Sequence, residues 1–381
     1  MFDKSSERKV RWYEPLVVIG LILLLFFLVH GKRVERNLPL SQWEDEYFIE
    51  HNDKNMHNLI DCFTERPLWN GLYRPLTTSL YYYLGGELFD HKIEIYHAIN
   101  ILFYILNAFL LYLVCREVLP GFWDMLPSAV MVTRLSHYEI VLNSCEFQVL
   151  FAVFLSLISL KMYFVYLRTG KMRPLIISVI VFALSFFARE TSVVMLAVLF
   201  LTALLFTGQP RLRSMIPYGV VAGLWAVLFV TVFRPISNNM PTGFSYDYSI
   251  GSIIENGGAY FLTIFNPLVD LIRDLIMPEI ILDIAGSPIY IFLFVIMLVN
   301  LLWFSFNAVR KPQAYRIRVK AVLWGTWFFL VAISPYLFFD VRVYMRYSYF
   351  AHFGQAVAIG ALLIILFNKM KGIYLGRIRA M

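Results

Sequence analysis

The chain has 381 residues, of which 59% are hydrophobic and only 15% are charged, and its formal net charge is +7. A soluble domain carries about 25% charged residues, so this composition excludes a soluble globular protein. Apolar runs of about 20 residues recur along the whole length, as membrane-crossing helices require, whereas a β-barrel would show short alternating segments. In a membrane protein, Lys and Arg are read first as orientation signals, so the positive charge does not indicate nucleic-acid binding.

The hydropathy pattern predicts an all-α polytopic membrane protein with about ten transmembrane helices, forming a single domain over 1–381. The first apolar run begins at Pro15, is followed by no small-residue cleavage site and precedes further spans, so it is predicted as a span and not a cleaved signal. Some runs are shorter than a full span, which is typical of tilted or broken helices. The predicted spans are 14–30, 97–115, 124–142, 147–167, 174–188, 191–208, 215–234, 288–308, 321–339 and 347–367.

Clusters of Lys and Arg fall on one side of the membrane if there are ten spans. The positive-inside rule makes that side the cytoplasm and places both termini there. The clusters are Lys4, Arg8, Lys9 and Arg11 before the first span, Arg168, Lys171 and Arg173 after the fourth, Arg211 and Arg213 after the sixth, Arg310, Lys311, Arg316, Arg318 and Lys320 after the eighth, and Lys369, Lys371, Arg377 and Arg379 in the tail.

Two long segments then lie on the outer side. The first outer loop, 31–96, holds the acidic run WEDEYFIEHND, which has five carboxylates between Trp43 and Asp53. The second outer loop, 235–287, is apolar but interrupted by proline and charged residues, and it is predicted to form interfacial or re-entrant helices on the outer face.

The three cysteines, Cys62, Cys115 and Cys145, show no metal-ligand spacing. A disulfide between Cys62 and Cys145 would require both to face an oxidising compartment. Free, partly buried thiols are the favoured interpretation.

Acidic, basic and histidine side chains are mixed at the outer ends of the predicted spans, whereas the inner ends carry only Lys and Arg flanks. Charges at membrane depth are costly and usually functional, so this asymmetry is the strongest functional signal in the sequence. The candidates are Glu44, Asp45 and Glu46 in the first outer loop, Arg74 before Pro75, His97 and Asn100 at the start of span 2, Arg134, His137, Glu139 and Glu146 between spans 3 and 4, Arg189 and Glu190 between spans 5 and 6, and Arg342 and Arg346 before the last span.

Several candidates also have a simpler interpretation, and an acidic run in a loop is usually a solvated surface. Arg189 and Glu190 could form a structural ion pair at a helical hairpin, Arg342 and Arg346 could snorkel to lipid headgroups, and His97 could be a hydrogen-bonded helix-terminal histidine. Tyr81 to Tyr83 are read as an interfacial aromatic belt in preference to a sugar platform.

Arginines and a carboxylate at the mouth of a membrane cavity suit one kind of chemistry. The planar guanidinium matches phosphate oxygens, and a carboxylate can accept the proton of an attacking hydroxyl. Preorganised cations in a pocket of low dielectric stabilise a departing phosphate. Together they fit transfer of a group from a lipid phosphate to an acceptor hydroxyl.

At these residues the sequence resembles the GT-C superfamily of integral membrane glycosyltransferases, in the branch of protein O-mannosyltransferases, aminoarabinose transferases and tetratricopeptide O-mannosyltransferases, here without the repeats. The resemblance covers roughly 14–210 and 320–367. Its motifs are the acidic pair in WEDEYFI, Arg74-Pro75-Leu76, His97-x-x-Asn100, His137-x-Glu139, Glu146, Arg189-Glu190 and Arg346-Tyr347.

The resemblance implies an inverting glycosyltransferase that uses a polyprenyl-phosphate-linked sugar on the outer face of a prokaryotic cytoplasmic membrane. Asp45, or else its neighbours Glu44 and Glu46, would be the catalytic base. Arg74, Arg189 and Arg346 would bind the donor phosphate. The implied contacts to sugar or acceptor are His97, Asn100, His137, Glu139, Glu146, Glu190 and Tyr347.

The acceptor, which could be a protein, a lipid or a glycan, cannot be read from the sequence. The sequence identifies no cofactor, although clustered carboxylates could hold a divalent metal. The alternative function is a transporter or flippase of lipid-linked or anionic solutes, which would place polar groups near the bilayer midplane. A non-catalytic subunit of a cell-envelope complex is a third option.

Overall fold

The structure is a computed structural model in which every described element is helical. The structure describes residues 13–35, 57–64, 73–119, 122–134, 137–207, 212–231, 299–308, 317–337 and 348–380, with single positions at 249, 251, 253, 256, 257, 260 and 310. Most of the predicted second outer loop and residues 36–56 of the first fall outside this set.

Twelve α-helices of the described residues are labelled here, residues 299–308 are helical as well, and several helices begin or end in a tighter or wider helical turn. In chain order they are α1 Glu14–Glu35, α2 Asp61–Thr64, α3 Leu80–Phe89, α4 Ile93–Val118, α5 Leu126–Val132, α6 Tyr138–Val141, α7 Phe147–Thr169, α8 Met172–Ala188, α9 Val194–Thr207, α10 Leu212–Thr231, α11 Ile317–Ile333 and α12 Tyr349–Ala380. A π-helical turn, Pro75–Ser79, leads into α3, and 3₁₀ turns lie at Phe122–Met125, Ser144–Glu146, Glu190–Val193 and Ser334–Tyr336.

Seven stretches among the described residues are long and apolar enough to cross a membrane. They are Glu14–Lys32, Ile93–Val118, Ser144–Thr169, Glu190–Thr207, Arg213–Thr231, Ile317–Tyr336 and Tyr349–Met370. α8 is apolar too, but it has only 17 residues. The chain is therefore a helical multi-pass membrane protein, while the number of ten spans stays a prediction.

The predicted span 124–142 is not one continuous helix. Its longest described helix, α5, has seven residues, and α6 has four. We call residues 122–143 the interrupted segment. Irregular backbone at membrane depth is tolerated where surrounding protein satisfies its polar groups.

Successive residues of the interrupted segment contact α4 in reverse order, so the two run antiparallel. The contacts are Asp124 beside Arg116 (3.8 Å), Ser128 Oγ donating to the Ala108 carbonyl (2.8 Å), Tyr104 Oη donating to the Met131 carbonyl (3.1 Å) and Asn100 Nδ2 donating to the Asn143 carbonyl (2.7 Å). The chain thus returns across the bundle here, as the sequence predicts, but through short helices.

α7 then runs parallel to α4. Asn107 Nδ2 donates to the Leu150 carbonyl at 2.9 Å, and farther along both helices Arg168 Nη1 binds Glu117 Oε2 at 3.1 Å. We call the end of the bundle that holds Glu117, Arg168 and neighbouring Lys171 the basic end. Arg168 and Lys171 belong to one of the predicted basic clusters, and the gathering of all these clusters on one side of the membrane stays a prediction.

Two glycines allow α11 and α12 to pack backbone against backbone. A Cβ on Gly325 would lie 2.5 Å from the Gly354 carbonyl oxygen, and a Cβ on Gly354 would lie 2.6 Å from the Phe329 amide nitrogen. Small residues serve this purpose between membrane helices, because close approach increases van der Waals contact where water cannot drive association. This pair brings the start of α12 into the centre of the bundle.

Among the core side chains, two tyrosines differ from the sequence expectation and the three cysteines agree with it. Tyr81 and Tyr82 are buried, and the Tyr81 ring stacks on Phe147 with centroids 3.9 Å apart, so they are core residues and not an aromatic belt. Cys62, Cys115 and Cys145 are all free and buried, as the favoured interpretation expects.

Candidate functional site

The backbone that carries Arg74 is held firmly by its neighbours. Pro75 begins the π-helical turn, a position where its missing N–H costs no hydrogen bond. Thr78 Oγ1 donates to the Arg74 carbonyl at 2.8 Å, and Thr77 Oγ1 donates to the carbonyl of Ala188, the last residue of α8, at 2.7 Å. Arg74 is therefore fixed against the end of α8.

The Arg74 side chain binds two partners from other helices. Its Nε donates to Glu190 Oε2 at 2.7 Å, and its Nη2 donates to Glu190 Oε1, so guanidinium and carboxylate form a two-point pair. Its Nη1 donates to Gln148 Oε1 on α7. Arg74 is only 6% exposed, and in such surroundings a paired charge is held strongly.

Arg189 and Glu190 occupy the sharp connection between α8 and α9. Arg189 is extended (φ −163°, ψ 131°), and the 3₁₀ turn begins at Glu190. Ser192 closes the connection, because its N–H donates to the Arg189 carbonyl at 3.1 Å and its Oγ to the Ser185 carbonyl at 3.2 Å. Arg189 is also only 6% exposed. Glu190, predicted as a sugar or acceptor contact, binds the arginine of a distant segment.

Glu146 lies just before Gln148, at the start of α7, and is 3% exposed. The turn that precedes it is shaped by Asn143, whose Oδ1 accepts from the Cys145 N–H at 3.1 Å. We call the end of the bundle that holds Arg74, Glu146, Gln148, Arg189 and Glu190 the site end. It lies opposite the basic end.

Asn100 and His97 lie on α4 beside this turn. The Asn100 amide donates to the Asn143 carbonyl at 2.7 Å and is close to the Ile140 carbonyl at 3.4 Å. Its nitrogen thus satisfies backbone carbonyls of the interrupted segment, which is a structural task. His97, one turn earlier on α4, is 8% exposed.

His137 belongs to a second polar network. Its Nδ1 is 3.0 Å from Tyr104 Oη, and its Nε2 is 2.9 Å from His352 Nδ1. Close by, Arg134 Nη2 donates to Gln355 Oε1. Because Tyr104 lies about half-way along α4, the expectation that every candidate gathers at the outer ends of the spans is wrong for His137.

Four side chains of these networks were not predicted from the sequence: Tyr104, Gln148, His352 and Gln355. Gln148 follows Glu146 inside an apolar run, and His352 and Gln355 are three residues apart on α12, which places them on one helix face. Isolated polar residues inside apolar spans were the signal available.

Several predicted site residues lie outside the part of the chain that the structure describes. They are Glu44, Asp45 and Glu46, together with Arg346 and Tyr347; for Glu139 the backbone is described in α6 but the side chain is not. Within the described residues, no three His, Cys, Asp or Glu side chains lie close enough together to hold a metal ion.

No protein-family model, curated protein or solved structure matches this chain. Its fold is that of a helical multi-pass membrane protein, with buried charged side chains at one end of the bundle.

Proposed function

We propose that the chain is an inverting glycosyltransferase that moves a sugar from a polyprenyl-phosphate donor to an acceptor hydroxyl. The observation that carries the proposal is the burial of Arg74 and Arg189 at one end of a membrane bundle, where Arg74 binds the Glu190 carboxylate and Gln148, two residues after Glu146. Buried arginines beside helix ends suit recognition of a phosphate that enters from the lipid.

In this proposal the acceptor oxygen forms a bond to the anomeric carbon while the bond from that carbon to the phosphate oxygen breaks. Asp45, flanked by Glu44 and Glu46, takes the acceptor proton, and the polyprenyl phosphate leaves with the electron pair. Arg74, Arg189 and Arg346 stabilise the charge that develops on the phosphate. The acidic run could hold a divalent ion, which this step does not invoke.

The remaining candidate residues have different proposed roles, according to what surrounds each of them. Glu146, just before α7, and His97, in the first turns of α4, are the proposed contacts for sugar or acceptor, together with Glu139 and Tyr347. Asn100 supports the backbone beside them. Partners are thus a lipid-linked sugar, the surrounding lipids and an acceptor that is a protein, a lipid or a glycan.

We place the site end on the outer face of a prokaryotic cytoplasmic membrane, with both termini inside. The support is the collection of Arg168 and Lys171 at the opposite end of the bundle, where the positive-inside rule favours the cytoplasm.

The proposal is tested by measuring binding of a polyprenyl phosphate to purified protein in lipid nanodiscs. We expect Arg74→Gln to weaken binding at least about tenfold, since charge-assisted hydrogen bonds are lost. Arg168→Gln, which removes an arginine at the basic end, is the matched control and should bind like the wild type. Equal binding by all three proteins would contradict the phosphate site.

A second candidate, transport of a lipid-linked or anionic solute, is favoured by one observation. The Tyr104–His137–His352 network lies half-way along α4 beside an interrupted helix, and transporters build their sites from polar groups at broken helices. Vesicles reconstituted with the protein distinguish the two. Movement of a polyprenyl-phosphate sugar between leaflets without sugar transfer would favour transport.

A further inference from the structure

The anion-binding fork of Arg74 is already occupied by a carboxylate of the same chain. Glu190 presents both of its oxygens to Nε and Nη2 of Arg74. A phosphate group binds arginine through the same two-point geometry. Glu190 therefore lies where two oxygens of a bound phosphate would lie.

The two members of this pair differ in accessibility. The Arg74 side chain is 7% exposed and the Glu190 side chain 28% exposed. Glu190 is thus the more exposed member of the pair, and a ligand that approaches from the exposed side meets the Glu190 side chain before the buried Arg74 guanidinium.

The two members also differ in how firmly they are held. Arg74 keeps a third hydrogen bond to Gln148, and its backbone is bonded to Thr78 and, through Thr77, to α8. Glu190 begins a short 3₁₀ turn directly after an extended residue. Rotation of its side chain would release the carboxylate without moving either α8 or α9.

We propose that Glu190 is an internal competitor for Arg74, which a phosphate on a lipid must displace in order to bind. The inference rests on the proposed function, since it assumes that Arg74 receives a phosphate. Displacement would keep the buried guanidinium paired at every stage, so the site never holds an isolated charge. The released carboxylate would then stand beside the bound phosphate.

Competition has a measurable consequence for affinity. If the released state makes up about a tenth of the ligand-free protein, the apparent affinity is about tenfold weaker than the intrinsic one. Removing the charge of Glu190 should recover that factor. Glu87, an exposed residue of α3, offers a matched control because Glu87→Gln makes the same change in net charge.

The test uses farnesyl phosphate as the probe, with farnesol to correct for partition of the prenyl chain into detergent. Dissociation constants are measured for the wild type and for Glu190→Gln, Glu87→Gln and Arg74→Gln. We expect Glu190→Gln to bind about tenfold more tightly than the wild type, Glu87→Gln to match the wild type, and Arg74→Gln to lose binding.

The possible outcomes distinguish failure of the competition from failure of the proposed function. Equal or weaker binding by Glu190→Gln, with binding still lost in Arg74→Gln, would refute the competition and leave the phosphate site standing. If neither the wild type nor Glu190→Gln prefers farnesyl phosphate to farnesol, both the inference and the proposed function fail.

A measurement on the wild type covers the case in which Glu190→Gln does not fold. Carbodiimide and an amine label accessible carboxylates, and mass spectrometry of the peptide that contains Glu190 reports the extent. We expect labelling to rise when farnesyl phosphate is present and to stay constant with farnesol. A fall in labelling, or no change at saturating probe, would overturn the competition.

Discussion

Nε2 of His137 lies 2.9 Å from Nδ1 of His352, which joins the interrupted segment to α12. The two residues are 215 positions apart in the chain, and both are fully buried. One ring nitrogen of the bond must donate and the other accept, so the pair is bonded only while at least one imidazole is neutral. The contact anchors the irregular backbone of the interrupted segment to a long helix.

The first prediction concerns this pair. His352→Phe keeps a ring of similar size but removes the partner of His137, and a buried polar group left unpaired costs about 1–3 kcal/mol. We expect a lower thermal unfolding midpoint in detergent. His57→Phe, at an exposed position, is the control and should change the midpoint little. If the changes in unfolding midpoint caused by His137→Phe and His352→Phe simply add in the double variant, the two side chains are not coupled.

The second prediction concerns the acidic run. Asp45→Asn should abolish sugar transfer from a polyprenyl-phosphate donor while leaving expression and phosphate binding near the wild type, because only the proton acceptor is lost. Product formation by chromatography is the measurement, and Glu50→Gln in the same run is the control. Full activity of Asp45→Asn would remove Asp45 from the mechanism and turn attention to Glu44 and Glu46.

The third prediction tests the contact between α11 and α12. Gly354→Ala would place a Cβ 2.5 Å from the Gly325 carbonyl oxygen, and since backbone cannot yield cheaply, we expect loss of folded protein by size-exclusion chromatography. Gly223→Ala in α10 is the control, because nothing lies within 4 Å of its added Cβ. It should be neutral or slightly stabilising, as Ala exceeds Gly in helix propensity. Normal folding of Gly354→Ala would show that the two helices are farther apart.

The fourth prediction concerns orientation. The native cysteines are buried, so single introduced cysteines should give a clear labelling signal. Lys171→Cys at the basic end should react with a membrane-impermeant maleimide only after the membrane is opened, whereas Glu87→Cys should react in intact cells. The reverse pattern would invert the proposed topology and place the site end in the cytoplasm.

The sequence predicted correctly those features that depend only on residues close together in the chain. Apolar runs marked the membrane helices, because a chain in lipid must bury its backbone polar groups within each helix. Helix α8 and the start of α12 followed the predicted spans within a few residues, and Arg189 and Glu190 fell at the end of α8 as expected. The break in 124–142 was not predicted, because the run holds enough apolar residues to be read as a span, whereas the backbone carbonyls of Met131 and Asn143 are bonded by side chains of α4.

The sequence alone determined that this chain is a multi-pass helical membrane protein and that charged residues collect at the ends of its spans. Only the tertiary structure decided which of those charges meet. Arg74 binds Glu190, 116 residues away, and His137 joins His352 instead of the residues of the site end. The reason is physical: spacing along a helix sets which side chains share a face, whereas partners across a bundle depend on how the helices pack and on where each buried charge finds a counter-charge.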